Sequence, residues 1–239
     1  MTNKTKNLPT HIAVIPDGNR RWAKKHKLDA WLGHKNGTIN LEKLLDVVVE
    51  LNIPHLSFWA SSKDNLKKRH PQEVKFLLNL FKKKFLELSK NKKVHQHKIK
   101  INILGSWREQ FPEDVKKSLE QAIESTKNYN NYFLNFFVAY SGTGEILNTI
   151  KCIAKKAHAD LDLKIDKDIL KSCLLTSDLP PVDLLIRTGG EPHNSDGFMM
   201  WDTANTQLYF SEKLWPDFKE EDFREVIEDY GNRPRKFGS

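Results

Sequence analysis

Short apolar runs and longer helical stripes alternate along the chain. Residues 11–16 read HIAVIP and run into Asp17-Gly18-Asn19, the pattern of a buried strand leaving its sheet through a turn. The runs at 55–60 (HLSFWA), 99–104 (IKINIL), 133–139 (FLNFFVA) and 182–186 (VDLLI) repeat the pattern. Each is apolar enough to be covered on both faces, as the strands of a parallel sheet are.

Between these runs the spacing becomes helical. Leu41, Leu44, Leu45 and Val48 fall at i, i+3, i+4 and i+7, and Val74, Leu77, Leu78, Phe81, Phe85 and Leu88 continue that rhythm. Val115, Leu119, Ala122 and Ile123 give a third stripe; Ile146, Ile150, Ile153 and Ala154 give a fourth. The alternation predicts an α/β fold: a single domain with a central, mainly parallel sheet flanked by helices on both faces and joined by right-handed crossovers. No Pro/Gly/Ser-rich linker divides the chain, so residues 11–239 read as one domain behind a polar leader at 1–10. The helix beginning near Pro71 is more apolar than one buried face requires, because Phe76 and Leu80 add a second stripe. It reads either as a helix covered on both sides, by core or by a subunit partner, or as the wall of an apolar tunnel. Residues 82–100 (KKKFLELSKNKKVHQHKIK) read as a solvated helix end and loop, with a membrane-surface contact as the alternative.

Composition narrows the class. Of 239 residues, 38% are hydrophobic and 29% charged, enough apolar material for a core and too mixed a pattern for a disordered chain. The net charge of +8 favours anionic partners: nucleic acid, acidic lipid or phosphorylated small molecules. Cys152 and Cys173 are too few for a disulfide framework and form no CxxC pair, which fits a reducing, cytoplasmic setting. The first ten residues carry no signal-like apolar core, and no apolar stretch is long enough to span a membrane.

Ligands of parallel α/β sheets gather at the carboxyl ends of the strands, and two such ends carry chemistry. At Pro16-Asp17-Gly18-Asn19-Arg20-Arg21-Trp22 a strand turns into a helix start whose amides and arginines suit a phosphate. Asp17 there either caps the helix or shares a hard divalent cation such as Mg²⁺ with the phosphate it would otherwise repel. At Ile186-Arg187-Thr188-Gly189-Gly190-Glu191 a second strand runs into an arginine, a hydroxyl and paired glycines. Two oxyanion sites on one rim mean one long polyphosphate or two phosphorylated substrates. Neither GxxxxGK[ST] nor GxGxxG occurs. No aromatic-plus-basic RNA signature or zinc motif accompanies the positive charge, which argues against nucleic acid.

The run HIAVIPDGNRRWAKKHKLDAWLGHKNG, the segment LSFWASSKDN, DLLIRTGGE, LYFSEKLWPDF and the closing NRPRKFG closely resemble the cis-prenyltransferase family, the undecaprenyl diphosphate synthases, in the family's own order. That resemblance implies Mg²⁺-assisted condensation of isopentenyl diphosphate with an allylic diphosphate of the farnesyl or geranyl type, in cis geometry, by a homodimer or a heterodimer with an apolar tunnel. By position it makes Asp17 the metal-binding catalytic aspartate and gives Gly18, Asn19, Arg20, Arg21, Trp22 and His34 to the allylic diphosphate. Ser62 and Asn65 match the family's loop serine and asparagine, the latter tied to proton removal. An amide is a poor base, so Asn65 is expected to position substrate or relay the proton to a diphosphate oxygen. Arg187 and Ser195 match the holders of isopentenyl diphosphate.

Several positions depart from the pattern. Gln207 stands where the family has a metal-binding glutamate, with Asp196, Asp202 or Glu191 as replacements. His193 replaces an arginine, a titratable group for a permanent cation, and is followed by an apparent insertion at Asp196-Gly197. Leu66 replaces an aromatic, Ala30 an arginine, and the loop arginine falls on either Lys68 or Arg69. The terminal signature carries Lys236 in place of arginine, beside Arg233 and Arg235. These losses keep a second class of function open, a non-catalytic partner subunit, along with a variant that joins prenyl units irregularly.

Overall fold

The computed structural model describes residues 7–233, apart from the side chains of residues 65–67. Its centre is a six-stranded, wholly parallel sheet in the order β3-β4-β2-β1-β5-β6: β1 (His11–Ile15), β2 (His55–Trp59), β3 (Ile99–Leu104), β4 (Tyr132–Phe137), β5 (Leu184–Arg187) and β6 (Gln207–Phe210). The helices are α1 (Asn19–Lys25), α2 (Ala30–Glu50), α3 (Lys63–Lys68), α4 (Pro71–Leu88), α5 (Lys92–Gln96), α6 (Trp107–Gln110), α7 (Glu113–Thr126), α8 (Gly142–Ala159), α9 (Lys167–Cys173) and α10 (Glu220–Asn232).

Strand side chains divide by parity, as the pleat requires. Ile12, Val14, Leu56, Phe58, Leu134 and Phe136 join the larger core with Leu44 and Val48 of α2, Phe85 of α4, Leu119 of α7 and Val226 and Ile227 of α10. Ala13, Ile15, Trp59, Phe137 and Leu185 face the other way, against Leu179, Val182, Phe198 and Met199. That second face is covered largely by irregular chain, tied to the first turn of α8 by the Tyr140 hydroxyl, which donates to Glu145 Oε2 at 2.6 Å.

The five expected strands and four expected helices are present. β6 adds an edge strand that the apolar runs did not mark. The described residues of the leader touch the body: the amide and hydroxyl of Thr10 both donate to Asp183 Oδ2 at 2.7 Å, and Leu8 packs on the larger core. The lysine-rich stretch is the end of α4 followed by α5, and its lysines are partly paired with acids, Lys82 with Asp114, Lys84 with Glu42 and Lys93 with Asp46. The cysteine expectation needs correction: Cys152 and Cys173 are joined in a disulfide. No described helix is long and apolar enough to cross a membrane.

Strand order fixes where a ligand can sit. From β1 the chain crosses to β2 on one side, whereas β5 leads to β6 on the other, so a crevice opens between the carboxyl ends of β1 and β5. The register Ile15↔Arg187 sets Asp17, two residues beyond β1, beside the last residue of β5.

Candidate active site

A cleft of about 1000 Å³ opens over this crevice, lined by Asp17, Gly18, Arg20, Arg21, His34, Ser62, Arg69 and Ser195 among others. Gly18 makes the turn from strand to helix. Its φ of +108° is one that L side chains avoid, and a Cβ there would stand 2.8 Å from Leu214. The helix that follows is locked by Trp22 N–H donating to Gly18 O at 2.8 Å and by Asn19 Nδ2 donating to Pro16 O at 3.2 Å.

Asp17 and Arg21, which line the cleft, close a ring of four charges with Arg187 and Glu191. Arg187 Nη2 donates to Asp17 Oδ2 and to Glu191 Oε2, both at 2.9 Å, while Arg21 Nη2 stands 3.3 Å from Asp17 Oδ1 and 3.8 Å from Glu191 Oε1. Arg187 is only 3% exposed and spends its other arm on His193 O at 2.9 Å and Ser195 Oγ at 2.5 Å. Burying a guanidinium demands such compensation. The Asp17 main chain is fixed as well: Thr188 Oγ1 donates to its carbonyl at 2.8 Å, and so does Trp215 N–H at 2.9 Å.

A second cation cluster meets the cleft through Arg20, His34 and Arg69. Arg69 Nη1 donates to Glu73 Oε1 at 2.9 Å and lies 2.9 Å from His34 Nε2, with Arg20 Nε 3.9 Å from the same carboxylate oxygen. Burial, reinforced by the charge of Arg69, lowers the His34 pKa to about 4. His34 is therefore neutral near pH 7, its Nε2 lone pair accepting from Arg69. Burial also lowers the Arg69 pKa, and Glu73 opposes that shift. Arg69 Nε and Arg187 Nε are buried donors without a partner among the described residues, so each hub keeps one N–H uncommitted there.

Sequence reasoning missed Glu73, the carboxylate that organises this cluster. As an acid in the first turn of α4 it looks like an ordinary partner of the helix dipole. Of the two candidates for the loop arginine, Arg69 lines the cleft, whereas Lys68 pairs with the exposed Asp64 at 2.8 Å.

The remaining expected residues fall in different places. Ser62 is buried and lines the cleft, next to a backbone bridge with Tyr140. Ser195 and the main chain of His193 sit on Arg187, and the His193 ring is exposed, 3.4 Å from Ser195 Oγ. Trp22 does not face the ligand space: its indole N–H donates to Asp217 Oδ1 at 2.7 Å and its ring lies against His26. Asn65 belongs to α3, but its side chain lies outside the described residues, as do Arg235 and Lys236.

Gln207 is the clearest departure from the expected metal set. It pairs with Leu184 at the amino end of the sheet, three residues back from the level of Arg187, and its Oε1 is 3.4 Å from Arg233. Within one chain it is not brought to Asp17. Among its suggested replacements, Asp202 is buried against Lys171 at 2.5 Å and Asp196 accepts from Thr143 at 2.9 Å. Only Glu191 shares the arginines of Asp17.

The donor set suits a hard ion of modest protein coordination. No group of three or more His, Cys, Asp or Glu side chains is gathered among the described residues. Two carboxylates beside a cationic cleft match Mg²⁺, which takes one or two carboxylates plus substrate oxygens.

The comparisons with known proteins agree with this geometry. The family model described as putative undecaprenyl diphosphate synthase matches residues 15–238. The tritrans,polycis-undecaprenyl-diphosphate synthase (geranylgeranyl-diphosphate specific) of Pyrococcus horikoshii is 39% identical over 233 residues, covering 97% of this chain and 87% of that protein. The isoprenyl transferase of Aquifex pyrophilus is 37% identical, over 97% of this chain and 96% of the relative. Lavandulyl diphosphate synthase from Lavandula x intermedia, solved in complex with dimethylallyl diphosphate, matches with a TM-score of 0.89 at 30% identity, over 97% of this chain and 99% of that one. With a family match that runs from the end of β1 to the last residues, the chain belongs to the undecaprenyl diphosphate synthase family and is a prenyltransferase.

Proposed function

We propose that the protein joins isopentenyl diphosphate to an allylic diphosphate with cis geometry, releasing pyrophosphate. The observation that carries this reading is the pair of cationic groups at one cleft: Arg20, Arg21 and Arg69 line it, and the buried Arg187 lies against Asp17 and Ser195, which line it too. Each suits one diphosphate, and their common cleft holds two substrates in contact, which supplies much of the rate.

Arg20, Arg21 and Arg69 hold the allylic diphosphate, with the uncommitted Arg69 Nε–H as a further donor. Arg187 and Ser195 hold isopentenyl diphosphate, and Ser62 with Asn65 orient its hydrocarbon end. The bond from allylic C1 to its diphosphate oxygen breaks, C1 joins C4 of the isopentenyl unit, and C2 gives up a proton to a diphosphate oxygen. Fixed guanidinium groups stabilise the charge that collects on the departing diphosphate. Asp17 and Glu191 would hold Mg²⁺, which when bound draws charge from that leaving group.

The working unit in this reading is a homodimer, supported by Leu147 and Ile150, which α8 leaves 53% and 57% exposed. Its location is the cytoplasm, where both diphosphates are soluble. The growing chain would run beneath α4 in an apolar tunnel past Phe76 and Leu80. A non-catalytic partner subunit is the weaker reading, because such a subunit has no chemical need for an intact charge ring at Asp17.

The test is incubation of the purified protein alone with radiolabelled isopentenyl diphosphate and dimethylallyl, geranyl, farnesyl or geranylgeranyl diphosphate, with and without Mg²⁺. Labelled products longer than the donor by whole isoprene units, formed only with Mg²⁺, are expected. No extended product with any donor would overturn the reading.

A further inference from the structure

The helix pair that carries the disulfide has almost no core of its own. α9 has no buried residue, and in α8 only Gly142, Glu145 and Thr149 are buried. Besides the covalent link, the two share hydrogen bonds from Lys156 Nζ to Ser172 Oγ at 3.0 Å and from Thr149 Oγ1 to Cys173 O at 3.4 Å, and just beyond α9 Leu175 N–H donates to Glu145 Oε1 at 2.9 Å. Cys152 lies midway along α8 and Cys173 ends α9, with Cα atoms 5.9 Å apart, and both are half-buried, within reach of a small thiol.

This pair grips both ends of the segment that supports Ser195. At the near end, the first turn of α8 presses on the Ser195–Gly197 turn. A Cβ on Gly142 would stand 1.9 Å from Gly197 O, and Thr143 Oγ1 donates to Asp196 Oδ1 at 2.9 Å. At the far end, Lys171 of α9 holds Asp202 at 2.5 Å. Between them Met199 N–H donates to the Tyr140 hydroxyl at 3.2 Å, and that hydroxyl is in turn fixed by Glu145.

We propose that Cys152–Cys173 is a thiol-sensitive clip whose redox state sets how firmly the Ser195 turn is held against Arg187, and hence the affinity for the diphosphate on that side. The assignment of that diphosphate to isopentenyl diphosphate rests on the function proposed above. Disulfides in a reducing compartment are typically transient or sensing rather than permanent. In the opening step a thiolate of a dithiol reductant attacks one cysteine sulfur and the other cysteine leaves as a thiolate that takes a proton. The second reductant thiol then displaces the first cysteine and closes the reductant's own disulfide, so two electrons and two protons reach the protein.

The test uses the full chain, oxidised by glutathione disulfide or reduced by dithiothreitol, with thiols counted by alkylation and mass spectrometry. Hydrogen exchange is followed in both states. Reduction is expected to expose two alkylatable thiols and to speed exchange across residues 194–203, leaving residues 11–22 unchanged. The KM for isopentenyl diphosphate should rise about five-fold or more, within the usual range of coupling between sites, with the allylic KM unaltered. The Cys152→Ser, Cys173→Ser double variant should behave as the reduced form and ignore dithiothreitol. Two free thiols in the oxidising buffer, or identical exchange at 194–203 in both states, would overturn the proposal. An exchange difference without any condensation activity would retain the clip and overturn the assigned function.

Discussion

Asp17 acts in company: the two guanidiniums that bracket its carboxylate also bracket Glu191, so the four charges hold one another in place before any substrate arrives. Replacing Asp17 by Asn keeps the shape and removes the charge. Steady-state assays should then show kcat lower by on the order of 10²–10³-fold, the usual effect of removing one preorganised electrostatic group. Arg187→Lys retains the positive charge but loses the planar fork that reaches His193 O, Ser195, Asp17 and Glu191 together. That variant should raise the KM for isopentenyl diphosphate more than the KM for the allylic donor; an equal rise in both would contradict the division of the cleft. Asp17 and Arg187 were legible in the sequence because each follows an apolar run into a glycine-bearing turn. Glu73 was not, since it meets Arg20 of α1, and the Arg69 that lies against His34 of α2, only once α1, α2 and α4 are packed.

At the scale of elements, the site depends on how closely α1 and α2 approach. A methyl group on Gly33 would lie 2.0 Å from Asn19 O, so Gly33→Ala must push the two helices apart. Thermal or urea unfolding should show a loss of about 1–3 kcal/mol, as overpacking of a tight contact usually costs. Gly189→Ala acts on the charge ring instead, since its Cβ would meet Arg21 Nη2 at 2.5 Å at a φ of +94°. The strands from β1 to β5 and the four long helices were readable because their apolar spacing is strong. β6 escaped because QLYF is an edge strand with Leu208 exposed and its other three positions only half-buried. α10 carried the same helical spacing at Phe223, Val226, Ile227 and Tyr230, and that signal went unread. α9 offered none, having no buried face to mark it.

For the molecule as a whole, the order of strands decides the location of the chemistry, and buried histidines decide how it tolerates acid. His11 is fully buried between Ser57 Oγ at 2.8 Å and Pro180 O at 2.9 Å, and burial lowers its pKa to about 4. His34 is lowered to about 4 as well. As pH falls from about 6.5 to about 4 the unfolded chain binds protons that these two rings refuse, so the stability they contribute is lost across that window. Each ring accounts for on the order of 3 kcal/mol of that loss. Urea midpoints at pH 7, 5.5 and 4.5 should decline accordingly, and His11→Gln should flatten the slope. The most direct measurement of the central claim is a crystal structure of the protein with a non-hydrolysable allylic thiodiphosphate and Mg²⁺. The expected result is a diphosphate seated against Gly18, Arg20, Arg21 and Arg69, with Asp17 on the ion. A diphosphate bound elsewhere, with Asp17 still clamped between Arg187 and Arg21 and no ion beside it, would contradict the account.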